Sequence, residues 1–249
     1  MRVAIVGNCG TGKTTLVEAF KKRWPMYGYP VETYRDLIKN SDHSSKTTEE
    51  TQLIILDWML KIQDQPKDSK IIFDRCTYDN LVYTLYANEN CEYDETGVLT
   101  SGVSDEVCAA SISLVRESFK NIDIIFWIKR DDSMGLNTDG GRRDINDKFI
   151  QDTDKIYQDL MHHYSDNLEA DIFFPSEDCP AILQVEGSTV HDRLAFISEF
   201  LDQSGDLIET ETSILNPQNL DILEQMIKDQ KGQKLSEDHL QEVMKKLKY

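Results

Sequence analysis

No run of 18 apolar residues occurs in this chain, so no membrane-spanning helix is expected. Met1 leads directly into an apolar strand, which is expected to leave no room for a signal peptide. Basic residues are few, 27 Lys and Arg against 45 Asp and Glu, and the net charge is −18. A duplex-binding protein carries a basic footprint, and this sequence has none, which argues against a polymeric nucleic-acid partner. Cysteines are scarce and odd in number: Cys9, Cys76, Cys91, Cys108 and Cys179, with no C-x-x-C pair. Reduced thiols in the cytoplasm fit that pattern better than a disulfide framework. None of the five histidines has zinc-ligand spacing with cysteine, and the pair His162-His163 reads as a solvated helix face. What remains, 249 residues with 39% hydrophobic content, suits one α/β domain with an appendage.

The most specific stretch is Gly7-Asn8-Cys9-Gly10-Thr11-Gly12-Lys13-Thr14. It follows the apolar run Val3-Ala4-Ile5-Val6 and opens a helical pattern from Thr15 to Phe20. Strand, glycine-rich loop and helix in that order are the context in which G-x-x-x-x-G-K-[ST] holds phosphates. Glycines let successive N–H groups point inward, and the helix N-terminus adds partial positive charge. Lys13 is placed to reach the β- and γ-phosphates, and the Thr14 hydroxyl to ligate Mg²⁺. Residues 7 to 15, Thr15 included, are therefore the expected nucleotide-binding set.

Further along, Val31 is expected to end a short strand, with Glu32 at its tip and Arg35 opening a helix. A surface ion pair is the alternative for Glu32 and Arg35. Residues 41–48 read as a polar, turn-rich stretch, either a mobile loop or a capping region. Thr51 to Ile62 is a helix apolar on most faces, expected to be sandwiched in the core, with Gln52 at its entrance facing either substrate or solvent. Ile71-Ile72-Phe73-Asp74 is a buried strand ending in a carboxylate. Helices are expected at 77–87 and 105–119, with a long loop at 88–104 between them. Ile122 to Ile128 is another buried strand, whose Phe126-Trp127 reads as core rather than a base-stacking platform. A polar loop, 129–141, precedes Arg142-Arg143 and a helix at 145–164. The arginine pair suits a closing lid, or simply an exposed basic pair. Ala181 to Val185 is the last strand, and Thr189 to Leu201 the helix after it. A boundary near 203 separates residues 1–202 from a helical extension, 203–249, expected to pack on the domain or to pair two copies as a homodimer.

Taken together, the ordered set Glu32-x-x-Arg35, Gln52, Asp74-Arg75 with Tyr78-Asp79, Asp139-Gly140-Gly141-Arg142-Arg143 and Glu186-Gly187-Ser188 before Arg193 resembles a known family. It looks like the AAA-type ATPase/kinase family that includes ribosylnicotinamide kinases and, more loosely, resembles thymidylate and deoxynucleoside kinases. Its size and tail also resemble small kinases of large bacterial DNA viruses, which would place it in a host cytoplasm. The resemblance covers residues 1 to 202. It implies a three-layer P-loop NTPase fold with a central, mostly parallel five-stranded sheet and a helical tail. It implies ATP and Mg²⁺, with Lys13 and Thr14 on the triphosphate and metal, and Asp74 near the metal or the attacking hydroxyl. Glu32 would orient or deprotonate an acceptor hydroxyl, while Arg35 and Arg75 would steady acceptor and phosphoryl group. Arg142 or Arg143 would belong to the lid. The acceptor, a nucleoside or nucleotide, would lie against Tyr34, Trp58 or Tyr78.

The expected activity is phosphoryl transfer from ATP to a hydroxyl or 5′-phosphate of a nucleoside or nucleotide. The alternatives are a nucleotide-dependent switch protein and a kinase acting on a modified base within DNA, which the charge disfavours.

Overall fold

A computed structural model describes residues 1–30, 46–130, 147–166 and 170–208 of the chain. Among the described residues four parallel strands form the central sheet: β1 (Arg2–Gly7), β2 (Ile71–Asp74), β5 (Ile124–Ile128) and β6 (Ala181–Gln184), in spatial order β2-β1-β5-β6. At the outer edge of β2, Gly28 makes a parallel bridge to Ile71. The short strand expected to end at Val31 lies outside the described residues. The sheet is mostly parallel and central, as the sequence pattern implies.

The strands are apolar without alternation because both faces are covered. Ala4, Val6, Phe73, Ile125 and Trp127 join one cluster, with side chains from α3 (Thr77–Glu89) and α5 (Asp147–Asp166). The intervening Val3, Ile5, Ile72, Ile124 and Phe126 are equally buried and, by strand alternation, serve the opposite face. There α1 (Lys13–Arg23) packs on β1 and β2 and against α7 (Val190–Ile197). The result is three layers: helix, sheet, helix.

Around α3 pack α2 (Glu49–Gln63), α4 (Asp105–Ser118) and α5. Thr48 caps α2, its hydroxyl accepting from the Thr51 N–H, and Ser104 caps α4 through the Val107 N–H. Glu49 accepts from both the N–H and the hydroxyl of Ser104, at 3.0 and 2.7 Å, which fixes the two helix starts together. Gln63, Thr77 and Ser118 join α2, α3 and the end of α4 through buried hydrogen bonds.

Three sequence expectations are corrected. Helix α2 is not sandwiched: Thr51, Gln52, Ile55, Leu56 and Met59 face inward, while Leu53 and Ile54 are exposed. Residues 88–104 are not one loop, because α3 continues to Glu89 and an antiparallel hairpin follows, β3 (Glu92–Tyr93) with β4 (Leu99–Ser101). One Asp94 oxygen accepts from the Thr96 N–H, the Thr96 hydroxyl and the Val98 N–H, closing the turn that contains Gly97. Helix α7 stops at Ile197 rather than Leu201. Leu201 instead bridges Leu207 in a small antiparallel turn. A short helix, α6 (Ala170–Phe173), precedes β6.

Contacts divide the chain after Ile197. Of the second unit, 198–208 are described, and residues 209–249 of the expected helical extension lie outside them.

Candidate active site

Parallel register brings the carboxyl ends of β1, β2 and β5 to one edge, with Ile5 beside Asp74 and Gly7 beside Ile128. Ligands of parallel α/β sheets bind beyond this edge. Gly7 has no room for a side chain, since a Cβ would sit 2.5 Å from the Ile128 carbonyl oxygen. From it the loop curls through Gly10 and Gly12, both in the left-handed region at φ 74° and 84°, and Gly12 caps α1.

Inside the loop the hydrogen bonds are local. Asn8 accepts from the Cys9 N–H at 2.8 Å, and the Thr11 hydroxyl donates to the Asn8 carbonyl. The buried Lys13 ammonium folds back, donating to the carbonyls of Gly7 and Asn8 and reaching the Thr11 hydroxyl. These acceptors suit a protonated ammonium. Burial, with the Arg75 guanidinium nearby, nevertheless lowers its pKa to about 7. Gly10, Thr14 and Thr15 are exposed on the open side.

Thr14 Oγ1 donates to Asp74 Oδ2 at 2.6 Å. A hydroxyl and a carboxylate 60 residues apart in sequence thus meet at the mouth of the phosphate loop. This donor set fits Mg²⁺, which takes one or two protein oxygens and completes its octahedron with phosphate and water. The folded-back Lys13 and the glycine-lined curl fit a triphosphate.

Arg75 follows Asp74 at φ 82°, rare for a residue with a side chain, while its N–H donates to the Ile5 carbonyl at 3.0 Å. The guanidinium is buried and pairs with Asp79 at 3.0 Å, four residues on in α3, with the Tyr83 hydroxyl at 3.4 Å. Asp79, fully buried, accepts in addition from the Gly7 N–H at 3.3 Å, the Cys76 N–H at 3.2 Å and the Tyr157 hydroxyl at 2.7 Å. Burial, and the Asp79 charge beside it, push the Tyr157 phenol well above its ordinary pKa, so it donates.

Helix α5 holds the loop from another side. Asn8 Nδ2 donates to the Ile150 carbonyl at 2.9 Å and to the Thr153 hydroxyl at 3.0 Å. From α7, the buried Arg193 donates to the carbonyls of Thr11 at 2.6 Å and Gly187 at 3.0 Å.

Of the expected acceptor residues, Gln52 is neither solvent surface nor open to it. It is buried, donates to the Thr47 hydroxyl at 2.9 Å and accepts from Asn80 Nδ2 at 3.1 Å. Tyr78 does not line a substrate site. Its ring is fully buried among Phe119, Tyr157 and Phe174, because its position on α3 faces the sheet. Trp58 is half-buried against Ile55 and Met59. Glu32, Tyr34, Arg35, Arg142 and Arg143 lie outside the described residues. Thr153 and Tyr157 escape the sequence reading, and Asp79 enters it only within the pair Tyr78-Asp79, with no role of its own. Only the Arg75–Asp79 spacing, four residues on a helix start, carried a signal for any of them.

A glycine-rich phosphate loop between the first strand and helix of such a sheet, with its lysine, hydroxyl and strand-tip carboxylate in place, defines a P-loop nucleotide-binding fold. The AAA_28 family, described as an AAA domain, matches residues 2–165, and the chain belongs to it. A search of curated protein sequences returns no match. Among solved structures, the chain is similar to deoxyadenosine kinase from M. mycoides with products dCMP and a flexible dCDP bound. The TM-score is 0.52 at 20% identity, covering 80% of this chain and 97% of that one. It is also similar to NadR protein in complex with NR, with a TM-score of 0.53 at 17% identity over 84% of this chain. There it spans only 53% of the other chain. At these identities the likeness is one of fold.

Proposed function

We propose that this protein is an ATP- and Mg²⁺-dependent kinase that transfers the γ-phosphoryl group to a hydroxyl or 5′-phosphate of a small nucleoside or nucleotide. The observation that carries the reading is the 2.6 Å contact between Thr14 and Asp74 at the mouth of the loop, with the buried Arg75 next in sequence. Phosphoryl transfer asks for in-line positioning and charge compensation, and the cations Lys13 and Arg75 at this edge support the second. The folds it resembles include a deoxyadenosine kinase.

In this reading the loop N–H groups and Lys13 hold the triphosphate, Lys13 leaving its carbonyl partners for phosphate oxygens. Thr14 and Asp74 hold Mg²⁺, which when bound offsets charge on the phosphate oxygens. Glu32 takes the proton from the acceptor hydroxyl as its oxygen bonds to the γ-phosphorus and the bridging oxygen departs with ADP. Arg35 and Arg75 steady acceptor and phosphoryl group, and Arg142 or Arg143 closes over it. Tyr34 and Trp58 meet the acceptor, and the buried Gln52, held by Asn80, backs the wall between α2 and α3. The chain works in the cytoplasm. Residues 1–202 carry the chemistry, and the extension from 203 pairs two copies.

Incubating the protein with ATP, Mg²⁺ and a panel of nucleosides and monophosphates tests this. ADP formation with at least one acceptor, well above the acceptor-free rate, is expected. None at millimolar concentrations of any acceptor sinks the kinase reading. Glu32→Gln is expected to cut turnover by roughly 10²- to 10⁴-fold.

A further inference from the structure

Resting on the kinase reading, we infer that Asp79 is a positioning residue for the reaction: it holds the Arg75 guanidinium beneath the phosphate loop and locks that placement to β1 and α5.

The junction at Asp79 joins four segments. Its Oδ1 receives the Gly7 N–H from the end of β1, the Arg75 guanidinium from the exit of β2, and the Tyr157 hydroxyl from α5. Its Oδ2 receives the Cys76 N–H at the start of α3. Those donors lie as far as 78 residues away in sequence, and Asp79 itself is 0% exposed. A carboxylate so buried costs free energy unless each oxygen is engaged, and here each is.

Charge gives the junction a purpose beyond packing. Lys13 and Arg75 are both buried cations that meet the Gly7 end of the loop, Lys13 through the Gly7 carbonyl and Arg75 through Asp79, which receives the Gly7 N–H. Asp74 is turned to Thr14 and the open edge. Asp79 is therefore the inner anion, holding Arg75 while Asp74 is committed to the metal side. The positive φ of Arg75 adds a second sign, because such backbone persists only where the surroundings over-determine it. The bonds of Asp79 to the side chain of Arg75 and to the next N–H, of Cys76, are that over-determination. Asp79 acts on the transferring group only through Arg75 and the Gly7 end of the loop.

The full-length protein tests this with two substitutions. Asp79→Asn removes the charge at nearly constant volume, and Tyr157→Phe removes only the phenol donor. Asp79→Asn is expected to lower kcat on the order of 10²-fold, the effect of a small misplacement, with the KM for ATP within about threefold. Tyr157→Phe gives a smaller loss, roughly threefold to tenfold. Combined with Arg75→Gln, Asp79→Asn adds no further loss, because both act through one group. The Nη1 hydrogens of Arg75, which donate to Asp79, are expected to be protected from solvent exchange in the unaltered protein and to exchange freely in Asp79→Asn. Losses that follow melting temperature, add to those of Arg75→Gln and leave Arg75 protected overturn the inference. If Asp79→Asn does not fold, Tyr157→Phe decides, and an unchanged kcat there is equally fatal. If the unaltered protein phosphorylates no acceptor, the kinase reading fails by itself, and Arg75 exchange in whichever variant folds decides the positioning role.

Discussion

Lys13 shows how a single side chain can couple the phosphate loop to pH. Folded back on two carbonyls and buried, it has a pKa near 7, where an unfolded chain would show its ordinary value of 10.5. Between those two pH values the unfolded chain holds a proton that the folded one has released. This group therefore makes stability rise with pH across that window. A bound triphosphate reverses the shift, since negative charge favours the ammonium. MgATP binding at pH 8 is thus expected to take up close to one proton, and at pH 6 almost none. Calorimetry in buffers of different ionisation enthalpy reads this directly, and Lys13→Met should abolish the uptake. At the neighbouring position, Thr14→Val removes the hydroxyl that meets Asp74 at 2.6 Å. Mg²⁺-dependent turnover should fall by at least about tenfold while Thr14→Ser retains most of it, the loss of one charge-assisted contact.

At the scale of elements, the phosphate loop is held from three sides: β1 with β5 beneath, α5 through Asn8, and α7 through Arg193. Arg193→Met leaves the Thr11 and Gly187 carbonyls without this donor, at an expected cost of about 1–3 kcal/mol. Chemical denaturation should show that cost, and ATP affinity should fall with it. Gly7→Ala is expected to be worse. It forces a Cβ to within 2.5 Å of the Ile128 carbonyl at φ 144°, so β1 and β5 must part. A loss of at least about 1–3 kcal/mol, with nucleotide binding abolished, should appear in a melting curve taken with and without MgATP. The hairpin β3–β4 was legible only in part. Asp94 and Gly97 mark a turn, but the two strands are short and largely polar, so they carry no periodic apolar signal.

For the whole molecule, a net charge of −18 sets the long-range field. Duplex DNA should be repelled at low salt, and a gel-retardation titration is expected to show no complex. A bound species whose affinity falls steeply with salt would instead support action on a base within DNA. No helix among the described residues is long and apolar enough to cross a membrane.

What the sequence determined by itself is whatever short-range pattern can encode. A strand, a glycine-rich curl and a helix over 22 residues fix the phosphate loop, because its ligands are its own backbone groups. Apolar runs ending in Asp74 or at Ile128 fix the buried parallel strands, since both faces must be covered. Tertiary structure alone decided the environment of the rest. Gln52 and Tyr78 stand on helices whose apolar content leaves their facing ambiguous. One became a buried polar partner of Asn80, the other part of an aromatic core. The junction at Asp79 and the tie of Asn8 to Thr153 join residues 78 and 145 positions apart. No local periodicity encodes such a distance; only the closing of α5 over the sheet brings those groups together.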